Sequence, residues 1–272
     1  MKREEREMQG RTAIVTGAAG GIGKGIAQVL LREGCNVAVL DWDEQEGERT
    51  AQALAASVND AGRVLFVQTN MSVEADIVGA FEQTAKRWSR VDILVNNVGT
   101  HYYHPIEQIK AEDWDRVMAT DLRGYFLTVR QAVPIMRRQG RGAIVNIASV
   151  HANQTAPHCS AYAAVKGAVA AMGRSMALEL APEGIRVNTV LPGYTRNANI
   201  ERQLAGLTEE ERAASEREMS RNIPLGRLAE AVEIGDAVAF LAGDKASFIT
   251  GASLTVDGGE SSHLQWQRQQ DQ

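Results

Sequence analysis

Short apolar runs alternate along this chain with longer amphipathic or charged stretches. RTAIVTG runs into GGIGKGIAQVLLREG. NVAVLDW precedes a charged, helix-like stretch from about Asp43 to Ala61, and RVLFVQT precedes another from about Val73 to Trp88. VDILVNNVG comes next, then a long helical region from about Ala111 to Gln139 with Pro134 near its end. AIVNIAS, a helix holding Tyr162, IRVNTVLPG and GASLTVDGG complete the series. The apolar runs do not alternate with polar residues, which predicts strands covered on both faces. Strand and helix in turn predict an α/β fold, a doubly wound parallel sheet flanked by helices in three layers. With no linker and no internal repeat, one domain over residues 11–260 is expected, between a flexible N-terminus at 1–10 and a polar tail at 261–272.

Two segments depart from the alternation. Residues 194–222, YTRNANIERQLAGLTEEERAASEREMSRN, are polar, helical in pattern and charged with both signs. They follow a strand's C-terminal end, where such sheets bind ligands. A mobile substrate lid is the reading preferred, with a fixed helical decoration as the alternative. The tail SSHLQWQRQQDQ is glutamine-rich, and its Leu264 and Trp266 offer docking side chains for a neighbouring subunit.

Composition narrows the function. The 272 residues are 44% hydrophobic, enough for a sizeable core. The net charge is -5 and no basic block stands out, which weighs against a nucleic-acid or anionic-membrane partner. No apolar run reaches membrane-spanning length, and MKREEREMQG has no signal-peptide core behind it, so the cytoplasm is expected. The two cysteines, Cys35 and Cys159, make neither a zinc spacing nor a disulfide framework.

Chemistry enters at the first strand–helix junction. Thr16-Gly17-Ala18-Ala19-Gly20-Gly21-Ile22-Gly23 supplies a tight turn and close approach to a diphosphate, ahead of a helix N-terminus. The next strand ends at Asp41, about twenty residues beyond the turn, where an acid binds ribose hydroxyls. An acid there repels a 2′-phosphate, so NAD is expected over NADP; Trp42 and Asp43 follow it, not an arginine. Asn70 and Met71, at the third strand's end, and Asn97, Val98 and Gly99, at the fourth's, are further cofactor positions. Asn96 and Asn97 serve equally well as ties between strands. Farther on, Ser149 closes an apolar run, Tyr162 follows, and Lys166 lies one helical turn beyond it on the same face. A phenol beside an ammonium can act as a base near neutral pH.

The combination TGAAGGIG, NNVG, Ser149 with Tyr162-x-x-x-Lys166, Pro192-Gly193 and Val256-Asp257-Gly258-Gly259 resembles the short-chain dehydrogenase/reductase family from about Arg11 to Gly259. The resemblance implies a Rossmann-like fold and an NAD-dependent oxidoreductase interconverting a secondary alcohol and a ketone. It implies that Tyr162 exchanges the alcohol proton, that Lys166 binds the nicotinamide ribose and lowers the tyrosine pKa, and that Ser149 orients the substrate oxygen. Pro192, Gly193 and Thr195 would meet the cofactor. It also implies a homotetramer or homodimer, built by the helices around 111–139 and 160–181.

One residue departs from the family pattern: Asp121 stands where an asparagine is usual, a carboxylate that only accepts hydrogen bonds. It is expected to accept from a water or pair with Lys166, with activity retained. Four histidines surround the predicted centre: His101, His104, His151 and His158. Their irregular spacing argues against a metal. His104, His151, His158 and Tyr194, with Ser149 and Tyr162, are the candidate substrate contacts, joined at the rim by Asn153, Gln154 and Asn197. This set suits a small polyol, sugar, hydroxy acid or cyclic diol, although Leu204, Leu207 and Met219 of the lid add apolar surface. A 3-oxoacyl-thioester reductase using NADPH and a non-catalytic NAD sensor or scaffold are the alternatives.

Overall fold

The computed structural model describes residues 8–100 and 102–262. Seven strands form one parallel sheet: β1 (Thr12–Thr16), β2 (Asn36–Asp41), β3 (Val64–Gln68), β4 (Ile93–Asn96), β5 (Gly142–Ile147), β6 (Ile185–Pro192) and β7 (Ser253–Val256). Their order is β3-β2-β1-β4-β5-β6-β7. The chain therefore reverses its direction of winding between β1 and β4, and the crevice at the C-terminal ends of those two strands is the place for a ligand.

The strands read as continuous apolar runs because helices cover both faces. Ala13, Val15, Val37, Val39, Ile93 and Val95 point to one face, where they meet Ile26 and Leu30 of α1 (Gly21–Arg32) and Ile234 and Val238 of α9 (Ala231–Ala242). Ile14, Ala38, Leu40, Leu94 and Ile144 point to the other. There they meet α3 (Glu74–Trp88), α5 (Gly124–Gln139) and α6 (Ser160–Leu180). Edge strand β7 is the exception, with Leu254 and Thr255 exposed. Helix α9 lies in a stretch for which the strand–helix reading makes no prediction. It seats against α1 through facing glycines: a Cβ on Gly25 would stand 2.5 Å from the Ala231 carbonyl carbon, and one on Gly235 2.9 Å from the Gly25 oxygen.

The helix read from about Asp43 to Ala61 is shorter, α2 (Glu44–Val58); Asp43 caps it by accepting from the Glu46 N–H, and Asn59 ends it in the left-handed region. The long helix 111–139 is α4 (Ala111–Met118) and α5 joined by a π-helical turn over Ala119–Arg123. That wider turn carries Asp121. Residues 194–222 hold α7 (Ala198–Leu204) and α8 (Glu209–Ser220), the latter opened by a Thr208–Glu211 capping box.

At the N-terminus, Met8 is buried in the core and its N–H donates to the Glu33 carbonyl, so the expected flexible stretch does not reach it. Residues 1–7, and 263–272 with Leu264 and Trp266, lie outside the described residues, as does His101.

Candidate active site

The glycine turn lies between β1 and α1 as its spacing predicts. Gly17 has φ +63°, a left-handed conformation that favours glycine, and Gly17 and Ala18 donate their N–H groups to the Leu40 carbonyl. Gly23 has no room for a side chain: its Cβ would stand 2.1 Å from the Gly17 oxygen and 2.6 Å from Asn97 Nδ2. Helix α1 is preceded by Gly20, which gives it no side-chain cap, and it has no acid in its first turn. Its first N–H groups and positive dipole end therefore face the crevice, and a Cβ on Gly20 would meet open space. This cradle fits a diphosphate.

Asp41 ends β2 beside the cradle, nine-tenths buried. One carboxylate oxygen accepts from the Ala19 N–H at 2.9 Å and the other from the Asp43 N–H at 3.2 Å. It thus braces the glycine turn while presenting its charge to the ribose position. Trp42 beside it is largely exposed. Asn70 accepts from Ser72 through its side-chain oxygen, and Met71 is buried in the core, so its side chain faces away from the crevice.

At the end of β4 the asparagines act as ties. Asn96 donates to Asn146 on β5 and accepts from Thr128 on α5. Asn97 Nδ2 donates to the Thr16 and Gly17 carbonyls, both at 3.0 Å, fixing the switch point. Gly99 lets the chain pass close to Lys166, since a Cβ there would stand 2.9 Å from Nζ.

Ser149, Tyr162 and Lys166 come together at the C-terminal end of the sheet. Ser149 follows β5 and is buried; its Oγ accepts from the His151 N–H at 3.2 Å and hydrogen-bonds the Tyr162 phenol. Tyr162 and Lys166 share one face of α6, and both are buried. Lys166 Nζ donates to the Ile147 carbonyl at 3.2 Å and lies 5.6 Å from the centre of the Tyr162 ring.

Electrostatics here differs from expectation in one respect. The Tyr162 pKa is raised above its usual value, first by burial and further by Asp121, against the lowering effect of the Ser149 hydrogen bond. Burial also lowers the Lys166 pKa, while the Asp121 charge raises it. Burial and the Asp121 charge thus favour the neutral phenol, while the Ser149 hydrogen bond favours the phenolate.

Asp121 is fully buried in the π turn and accepts from the Thr100 N–H at 2.6 Å and from Thr100 Oγ1 at 3.0 Å. Thr100 as its partner is not legible in the motif. Nor is Tyr125, fully buried one helical turn later, whose hydroxyl donates to the Val98 carbonyl at 2.7 Å and lies 3.2 Å from that of Ile147. It ties the ends of β4 and β5 beneath Lys166, whose Nζ lies 5.8 Å from its ring centre. An aromatic residue on a helix's core face carries no sequence signal distinguishing that role from packing.

Of the candidate substrate contacts, His151 lies against Tyr162, with ring centres 5.4 Å apart, edge to face. Tyr103 does so from another side at 5.8 Å. His104 and His158 are exposed at the rim, where the His104 N–H donates to the His158 carbonyl at 2.9 Å. Tyr194 is half-exposed after β6. Thr195 is buried, donating to the Gly193 carbonyl at 3.1 Å, and Gly193 donates to Val256. The apolar surface expected of residues 194–222 is mostly withdrawn. Leu204 and Met219 pack with Ile200, Ile223 and Leu228 in a small core of their own, which leaves Leu207 exposed. Among the described residues no three His, Cys, Asp or Glu side chains converge as a metal site, and no helix is long and apolar enough to cross a membrane.

The family model for enoyl-(acyl carrier protein) reductase matches residues 17–261. A D-beta-hydroxybutyrate dehydrogenase of Rhizobium meliloti (strain 1021) is 34% identical, over 92% of this chain and 98% of its own. A cis-4-hydroxycyclohexanecarboxylate dehydrogenase of Sinomonas cyclohexanicum is 39% identical, over 92% and 96%. Among solved structures, the 3-ketoacyl-(acyl-carrier-protein) reductase of Brucella melitensis complexed with NADH is 33% identical with a TM-score of 0.82, covering 93% of this chain and 99% of that one. By its motifs, its fold and these relatives, the chain belongs to the short-chain dehydrogenase/reductase family of oxidoreductases.

Proposed function

We propose that this enzyme interconverts a small secondary alcohol and its ketone with NAD(H), and that Tyr162 moves the proton. The observation that carries the reading is the convergence of Ser149, Tyr162 and Lys166 beside an uncapped helix N-terminus and the fixed carboxylate of Asp41. The relatives support it: two are dehydrogenases named for hydroxy compounds, and one ketone reductase was solved with NADH.

The glycine turn would hold the diphosphate and Asp41 the adenosine ribose, with Trp42, Asn70 and the backbone of Met71 along the adenine side. Asn97, Val98, Gly99, Pro192, Gly193 and Thr195 would border the nicotinamide half. Bound there, NAD(H) would supply the hydride acceptor for oxidation and the hydride donor for reduction. The protein's residues handle the proton. In reduction, the neutral Tyr162 phenol donates to the carbonyl oxygen as that oxygen gains charge. In oxidation, phenolate takes the alcohol proton, and the ammonium of Lys166 stabilises that charge. Ser149 holds the substrate oxygen against the phenol. Ser149→Ala is expected to lower kcat at least tenfold while leaving NADH affinity within threefold. Unchanged kcat would remove Ser149 from this scheme.

For assembly we propose a homotetramer. Two separate apolar surfaces support it. One is a 500 Å³ groove lined by Met118, Leu122, Phe126 and Met172 along α4, α5 and α6; the other is the β7 edge, where Leu254 is exposed, with Phe240 and Phe248 exposed in the segment before it. Light scattering at micromolar concentration tests it: a dimer would retain one of these surfaces and a monomer neither. A cytoplasmic location is proposed with it, in keeping with two free thiols.

A further inference from the structure

The space above the Tyr162 phenol has aromatic walls. Tyr103 meets the Tyr162 ring edge to face at 5.8 Å, and His151 meets it likewise at 5.4 Å. Tyr103 remains 45% exposed, so it keeps a ring surface uncovered beside the phenol.

These walls are held in place. The His104–His158 backbone bond stitches the segment after Tyr103 to the loop before α6. Backbone bonds from Ala229 to Tyr194 and from Arg196 to Ala229 anchor the other side. Ile200, Leu204 and Met219 of the helical segment 194–222 are turned into a small core of their own. Arg196, two residues beyond Tyr194, is engaged by Glu201, Glu216 and Glu230, so its guanidinium is not poised to hold a substrate carboxylate.

Rigid aromatic surfaces gain most from a flat or puckered ring that covers them without losing internal rotations. An open chain of the same carbon number offers similar apolar area but must freeze several torsions to present its hydroxyl to Tyr162. An open-chain hydroxy acid gains less still, having little apolar surface to lay on the walls. Resting on the alcohol-dehydrogenase reading above, we infer that the substrate is a compact alicyclic secondary alcohol or its ketone, its ring packed against Tyr103 and His151.

The experiment is NAD⁺ reduction with cyclohexanol, hexan-2-ol and 3-hydroxybutyrate, in the wild type and in Tyr103→Ala and Tyr103→Phe. Expected is a kcat/KM for cyclohexanol at least tenfold above either open-chain compound. Tyr103→Ala should reduce that ratio at least fivefold, mainly through KM, and Tyr103→Phe should restore it. Two outcomes overturn the inference while leaving the dehydrogenase reading intact: an open-chain compound used as well as or better than cyclohexanol, or a ratio unaffected by Tyr103→Ala. NAD⁺-dependent turnover of none of the three, extended without success to a broad alcohol panel, overturns the dehydrogenase reading and this inference with it.

Discussion

Replacing Asp41 by asparagine should relax the preference for NAD and let the enzyme accept NADP. The carboxylate is nine-tenths buried and held by the Ala19 and Asp43 N–H groups, so it cannot swing away from a 2′-phosphate. Two unit charges at about 4 Å repel by about 1 kcal/mol in water and about 4 kcal/mol at the effective dielectric of a protein surface. With a phosphate charge of about −1.5 to −2, even the weak end gives about 1.5 kcal/mol. At about 1.4 kcal/mol per tenfold, the wild type should prefer NAD⁺ by at least about tenfold in kcat/KM. Asp41→Asn keeps the shape, loses the charge and leaves one N–H partner without its acceptor, at a stability cost of about 1–3 kcal/mol. Initial rates with both cofactors and one alcohol, together with a thermal melt, separate the two effects. The preference should fall at least tenfold, through a lower KM for NADP⁺. A lower Tm with an unchanged cofactor ratio would show Asp41 to be only a brace for the glycine turn.

Three further substitutions test neighbouring parts of the site. Asp121→Asn removes a negative charge that raises the Tyr162 pKa, so the alkaline rise of alcohol oxidation should move to lower pH with activity retained. The amide can accept from the Thr100 N–H and donate to its hydroxyl, so folding should survive; a limb moved upward, or activity lost more than tenfold, would give the carboxylate a role of its own. Gly23→Ala places a Cβ 2.1 Å from the Gly17 oxygen and should weaken NADH binding at least tenfold in a fluorescence titration, whereas unaltered affinity would mean the cradle relaxes freely. Arg196→Ala releases α7 and α8 from Glu230, and at about 0.2–1 kcal/mol per exposed ion pair the substrate KM should rise about threefold to tenfold. Wild-type KM should then also rise with added salt; no change in either experiment would make these helices a fixed decoration.

The sheet was readable because burial on both faces writes each strand as an unbroken apolar run, as in Ala13-Ile14-Val15. The reactive side chains were readable because a glycine turn, an acid at a strand end and a Tyr–Lys pair one turn apart are each set by local geometry. What escaped depends on neighbours distant in sequence. Asp41 braces Ala19 across a strand junction, and Thr100 occupies both Asp121 oxygens across the β4–α4 connection. Tyr125 joins two strand ends from a third element. Leu204 and Met219 read as pocket surface but close on Ile223 and Leu228, which the segment beyond α8 brings to them. The pKa direction of Tyr162 escaped for the same reason: spacing reveals the nearby lysine but not the burial that raises the phenol.

The most direct measurement of the proton-transfer role is Tyr162→Phe, assayed for NAD⁺-dependent alcohol oxidation and, separately, for NADH binding. Phenylalanine keeps the ring that packs against Tyr103 and His151 and removes only the hydroxyl. Loss of general acid/base action by a positioned group is worth about 10²–10⁴-fold, so kcat should fall by at least about 100-fold with NADH affinity within threefold of wild type. A Tyr162→Phe enzyme retaining more than a tenth of wild-type kcat would contradict Tyr162 as the residue that moves the proton.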